Sequence, residues 1–137
     1  MTEPTDETVG FTAYCETSVT YYSNDIVVFG AVESNVGEYY QTSSSQFICP
    51  VDGLYAFSLN ILTVYGEYFS GKIMREALTL VTVDADPIDV NNGVSNFVVS
   101  VCNKGERVWV SCYNSISGLF GNGNRYTTFS GYLINRL

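Results

Sequence analysis

The chain has 137 residues, a net charge of −8 at neutral pH and no histidine. A domain of that length buries roughly two thirds of its unfolded surface, so one core suffices, and without His neither Ser-His-Asp nor Cys-His nucleophilic machinery can be assembled. The first 71 residues hold nine acidic and no basic side chains, the remaining 66 five acidic and six basic, which leaves no basic stripe for a nucleic-acid backbone or an anionic membrane surface.

Twelve Gly, eleven Tyr and eight Phe against two Met describe pleated surfaces joined by tight turns, and predict an all-β chain. Residues 1–8 are polar, acidic and carry Pro4; a disordered leader is expected there, with one globular domain over 9–137. Apolar runs between turn signals predict strands at Val9–Tyr14, Ile26–Val32, Tyr39–Thr42, Gln46–Cys49 and Leu54–Val64. Further runs follow at Glu76–Val83, Val94–Val101, Arg107–Tyr113 and Tyr126–Leu133, a count that fits a two-sheet sandwich. Within Leu54–Leu62, Tyr55, Phe57, Leu59 and Ile61 share a core face, while Ala56, Ser58 and Asn60 share the other, where Leu62 suggests contact with a neighbouring subunit. Asn103-Lys104-Gly105-Glu106 reads as a turn leading into Val108, Val110 and Cys112 alternating with Trp109 and Ser111. Asn114–Asn124 is too glycine-rich for a strand and too long for a tight turn, and is expected to be the main surface loop.

The four cysteines, Cys15, Cys49, Cys102 and Cys112, form no CxxC pair and read as disulfides or buried thiols. Cys102 lies beside the turn and Cys112 at the far end of the next strand, about 15 Å or more away at roughly 3.3 Å per residue, which argues against pairing these two. Connectivity stays open, and Cys15 near an edge could equally bridge subunits. No run reaches the roughly 18 apolar residues of a membrane span. Residues 1–15 have neither the basic start nor the apolar run of a signal peptide, and no Gly-X-Y repeat occurs.

Two features could bind a ligand. Asp84, Asp86 and Asp89, with Asn91 and Asn92 following, offer hard oxygen ligands suited to Ca²⁺, though not at EF-hand spacing. Tyr65, Glu67 and Tyr68 in one loop, and Asn114, Asn122, Asn124, Arg125 and Tyr126 in another, combine aromatic faces with hydrogen-bonding groups of the kind sugars require. Ordinary exposed loops share both compositions. No carboxylate pair is marked out for acid-base work, so the chain reads as a non-enzyme.

One spaced set is more specific: Phe29, Asn35, Tyr40, Phe47 and Gly53, followed by Leu54-Tyr55-Ala56-Phe57-Ser58-Leu59. A second block comprises Gly105-Glu106-Arg107-Val108-Trp109-Val110, then Gly118-Leu119-Phe120-Gly121, then Thr128-Phe129-Ser130-Gly131-Tyr132-Leu133-Ile134. Together they resemble the signature of the C1q globular-head domain over about residues 9–137, with Leu59 where the family pattern places an aromatic. The resemblance implies a ten-stranded jelly roll of the tumour-necrosis-factor type that packs as a homotrimer, a secreted and extracellular location, and calcium bound by loops near the trimer apex. It also implies a lectin-like pattern-recognition role on microbial or cell-surface glycans, or alternatively a protein-binding ligand or matrix component, here as a head without the family's collagen-like stalk. Some relatives have a disulfide cysteine where Cys49 stands, but the partner position in the following strands is not a cysteine here.

Overall fold

The computed structural model describes residues 8–63, 66–87, 90–113, 116–119 and 125–137. Five strands, β1 (Gly10–Tyr14), β3 (Ala31–Val36), β6 (Gly53–Thr63), β9 (Asn92–Cys102) and β12 (Thr128–Arg136), form one antiparallel sheet in the order β3-β1-β12-β6-β9. Five more, β4 (Tyr40–Gln41), β5 (Gln46–Ile48), β7 (Phe69–Arg75), β8 (Leu78–Ala85) and β10 (Arg107–Cys112), form the second in the order β4-β5-β10-β7-β8. A small ribbon joins β2 (Val19–Tyr22) to β11 (Ile116–Leu119). This is the expected all-β sandwich, and no described helix is long and apolar enough to cross a membrane.

The two sheets meet through aromatic rings. Phe11 stacks on Tyr40 at 4.8 Å and on Phe47 at 5.0 Å, and meets Phe129 edge-on at 5.1 Å. Phe47 in turn presents its edge to Tyr55 and Phe57, each at 5.8 Å. These rings come from both sheets and all are buried, so the offset and edge-on geometries that rings favour also fix the distance between the sheets. Small residues make room for them: a Cβ on Gly131 would lie 2.6 Å from the Phe57 ring and 2.8 Å from Phe11.

The spaced signature acquires a physical reason at each position. Asn35 clamps Tyr40, donating through Nδ2 to its carbonyl at 2.9 Å and accepting its N–H through Oδ1 at 3.1 Å. The Tyr40 hydroxyl donates to the Phe29 carbonyl at 2.8 Å, and the Phe29 N–H donates to Ser45 Oγ at 3.1 Å. Tyr55 Oη donates to Val51 O at 2.7 Å. Gly53 packs so tightly that a Cβ would sit 2.9 Å from Asn135 O. Leu59 takes its place in the core, fully buried with Tyr55, Phe57 and Ile61 on the same strand face.

The structure changes three local expectations. The run Ile26–Val32 becomes strand only from Ala31, because Phe29 turns inward and its backbone groups bond to the side chains of Ser45 and Tyr40. The stretch before it lies along β10, with Ile26 bridging Ser111 and Val27 N–H donating to Val110 O at 2.8 Å. Strand β7 was hidden by Gly71 and Lys72, which break the apolar pattern; a Cβ at Gly71 would meet the Phe69 ring at 2.5 Å. Part of the expected loop Asn114–Asn124 is strand, since Ile116–Leu119 pairs with Val19–Tyr22 through backbone bonds that glycine content does not forbid.

All four cysteines are buried free thiols in this structure. Cys15 is interior, donating from Sγ to Val28 O at 3.2 Å, and is therefore not an edge thiol offered to a second subunit. Burial pushes its pKa from an ordinary 9.0 up to about 12. Cys102 ends β9 in the first sheet and Cys112 ends β10 in the second, at the far end of that strand from the turn that joins them.

Phe129 touches Phe11, Phe29, Tyr40 and Phe57. We expect Phe129→Ala to lower the free energy of unfolding by about 3–5 kcal/mol, read by urea titration at unchanged slope. A loss of less than about 1 kcal/mol would mean that the ring column does not tie the sheets together.

Candidate functional site

The loops that carry the candidate residues leave the sandwich from one end. Thr63 at the end of β6 pairs with Asn92 at the start of β9, and Thr128 at the start of β12 pairs with Asn60 near the end of β6. In the second sheet Phe69 at the start of β7 pairs with Ala85 at the end of β8. The β6–β7 and β8–β9 connections both cross between sheets here, so they bring Glu67, Tyr68, Asp84 and Asp86 to the end that also holds Arg125 and Tyr126. Tyr65, Asn114, Asn122, Asn124 and Asp89 lie outside the described residues.

On the second sheet, Tyr68 Oη donates to Asp84 Oδ1 at 2.6 Å. That hydrogen bond is the main reason the Tyr68 phenol is held above its ordinary pKa of 10.0, since ionising it would set a second negative charge against the carboxylate. Two features expected to be separate, an aromatic loop and an acidic loop, are therefore in contact. Asp86 accepts the Asn92 side-chain amide at its backbone carbonyl at 3.1 Å, leaving its carboxylate exposed. Glu67 is also exposed. Among the described residues no three Cys, Asp or Glu side chains gather in a metal-binding arrangement.

On the first sheet, Arg125 and Tyr126 lie over one row of residues: Ala31, Tyr14, Thr128, Asn60 and Ser95, paired across the five strands. The Arg125 guanidinium stacks over the Tyr14 ring at 4.4 Å and bonds Glu33 Oε2 at 3.0 Å. Arg125 holds a left-handed backbone, φ 61°, an unfavourable state for a side-chain-bearing residue that these two contacts help to hold. Its first task is to position the segment that follows. Tyr126 follows directly, its side chain 50% exposed. It walls a groove of about 290 Å³ with Asn60, Ile61, Leu62, Gly93, Val94 and Ser95.

Sequence reasoning named Tyr126 and Arg125 but missed Asn60, Ser95, Tyr14 and Glu33, which belong to strands distant in sequence and come together only through register. It also missed a feature of the sheet below. The next three rows on the solvent face read Ser34-Thr12-Ser130-Ser58-Phe97, then Val36-Gly10-Tyr132-Ala56-Val99, then Asn135-Leu54-Val101. None carries a charge, and Phe97, Val99, Val101, Tyr132 and Val36 are all exposed. The period-two pattern Phe97, Val99, Val101 was visible as a strand signal, but which parity faced the core was not.

Replacing Asp84 by Asn removes the charge that disfavours the Tyr68 phenolate. We expect one tyrosine of the variant to ionise at lower pH than in the parent protein, followed by the tyrosinate absorbance. Superimposable titrations would show that the Tyr68–Asp84 contact does not persist in solution.

The sequence profile of the C1q domain family matches residues 10–134. Among curated proteins, Caprin-2 of Danio rerio is 28% identical over 110 residues, covering 79% of this chain and 12% of that protein. Complement C1q tumor necrosis factor-related protein 3 of Homo sapiens is 26% identical over 126 residues, covering 89% of this chain and 50% of its own length. The chain thus spans half or less of these relatives. Among solved structures, the globular domain of zebrafish complement 1qA superposes with a TM-score of 0.73 at 18% identity, covering 94% of this chain and 99% of that one. The Eiger TNF of S. frugiperda superposes with a TM-score of 0.77 at 10% identity, covering 96% and 95%. With the spaced signature from Phe29 to Leu59 explained in the fold and the profile matched over residues 10–134, the chain belongs to the C1q domain family.

Proposed function

We propose that this chain is a secreted, non-enzymatic recognition module that assembles as a homotrimer and binds glycans of microbial or cell surfaces at its loop end. The observation that carries the ligand class is the Tyr126 groove. An exposed aromatic face beside the amide of Asn60 and the hydroxyl of Ser95 matches what a sugar presents, namely a C–H surface edged by hydroxyls that need both donors and acceptors. Tyr68 with Asp84 offers a second aromatic and acceptor pair on the neighbouring sheet. Calcium held by Asp84, Asp86 and Asp89 would add a hard cation to which sugar hydroxyls or loop carbonyls can bind.

The uncharged rows of the first sheet support self-association. An uncharged face that exposes Val36, Tyr132, Val99, Val101 and, at 55%, Phe97 is unusual for a solitary soluble domain and normal for an interface. Three copies would turn weak single-site sugar binding into useful avidity. The absence of histidine and of any marked carboxylate pair supports a binding role over catalysis.

Two experiments test the reading. Phe97→Asp places a charge within the uncharged rows; we expect light scattering to report a trimer for the parent and a monomer for the variant, while a variant that stays trimeric would remove this face from the interface. On a glycan array, with calcium and with chelator, we expect selective signal that free sugar competes away and that Tyr126→Ala abolishes without changing the trimer. A silent array from a confirmed trimer would overturn the lectin reading and favour a protein ligand.

A further inference from the structure

At the opposite end of the sandwich Cys49 and Cys102 are both fully buried, and their thiols are near enough to shift each other's ionisation. The chain brings them together by a specific set of bonds. Cys102 ends β9 opposite Gly53, four residues after Cys49. The turn after Cys102 folds back on Cys49, with Gly105 N–H donating to Cys49 O at 2.8 Å and Cys49 N–H donating to Glu106 O at 2.9 Å. Glu106 closes that turn by accepting the Asn103 N–H at 2.7 Å, and Lys104 N–H reaches Asp52 Oδ1 at 2.7 Å.

The pair is also electrostatically asymmetric. Arg75, anchored to Glu106 at 3.7 Å and to Ser100 Oγ at 2.7 Å, directs its guanidinium at Cys102. The Cys49 thiol, with Arg75 beside it, lowers the Cys102 pKa, while the Cys102 thiol and burial raise that of Cys49. One thiol is thus disposed to ionise and the other to keep its proton, the division of labour between an attacking and a resolving cysteine.

We propose that Cys49 and Cys102 are a redox pair that closes to an intramolecular disulfide, locking the β5–β6 connection to the β9–β10 connection, while Cys15 and Cys112 stay reduced. The oxidant is a small-molecule disulfide of the glutathione class. The Cys102 thiolate attacks one of its sulfurs, the S–S bond breaks, and a glutathione thiolate leaves and takes up a proton. Cys49 then loses its proton and attacks the Cys102 sulfur of the mixed disulfide, expelling the second glutathione as a thiol. Two protein thiols give up two electrons and two protons, and one disulfide becomes two thiols. Because the turn Asn103–Glu106 covers both sulfurs, it must open for the first attack, and closure of the bond then holds it shut.

The test uses the full chain equilibrated at stepped ratios of oxidised to reduced glutathione, then denatured, alkylated and mapped by mass spectrometry. We expect one cross-link, Cys49–Cys102, to grow with the ratio while Cys15 and Cys112 are alkylated throughout, and the melting temperature to rise with it. Cys49→Ser should instead accumulate one glutathionyl group on Cys102, and Arg75→Gln should slow closure several-fold. Four alkylated cysteines at the most oxidising ratio, or a cross-link through Cys15 or Cys112, would overturn the proposal. Should Cys49→Ser fail to fold, the map of the parent chain decides alone.

Discussion

The contact among aromatic rings of the two sheets is the constraint on which everything else in this molecule rests. Phe11 from β1, Tyr40 and Phe47 from the second sheet, Tyr55 and Phe57 from β6 and Phe129 from β12 touch in a continuous series. Rings are stiff, with two side-chain torsions each, so a column of them sets both separation and register of the layers they bridge. Gly131 is the complement of that column, since it leaves the space that the Phe57 and Phe11 rings occupy. The Asn35 clamp on Tyr40 and the Tyr40 bond to Phe29 then tie irregular segments to it, which satisfies backbone groups that the ladders do not reach.

The fold was legible because these constraints leave fixed intervals in the chain. Phe29, Asn35, Tyr40, Phe47 and Gly53 could be read as a signature since each serves one shared core, and the alternation in β6 and β10 named the correct inner faces. Legibility failed where tertiary contact overrode local pattern. Gly71 and Lys72 disguised β7, side-chain bonds withdrew Phe29 from strand geometry, and β2 with β11 formed a ribbon from segments with little apolar signal. The site was less legible still. Tyr126 stood out as an aromatic in a polar loop, yet its neighbours Asn60 and Ser95 are joined to it only by the pairing of β6 with β9. Arg125 was read as a ligand group, and its guanidinium engages Tyr14 and Glu33, partners on strands too distant in sequence to be legible there.

Charge is partitioned by region. The outer surface of the first sheet is uncharged along the rows from Ser34 to Phe97 and from Val36 to Val99, whereas the strands of the second sheet carry Lys72, Arg107 and Asp84. The loop end collects exposed carboxylates and aromatic rings, and the far end holds the buried Cys49 and Cys102 near the turn Asn103–Glu106. Three surfaces with different chemistry are thus hung on one rigid sandwich, so that each can be altered with little mechanical effect on the others.

A sheet face without charge has a further consequence. Complementary and clashing charges are the usual means by which a protein surface accepts one partner and refuses another. In the proposed trimer the rows beneath Tyr126 would supply no such code, so charge would not separate a second copy of this chain from a sibling chain that keeps the same strands but carries different loops. If that assembly forms, sibling chains would meet no charge barrier to mixing, and its loop ends would differ from copy to copy without any change to the scaffold.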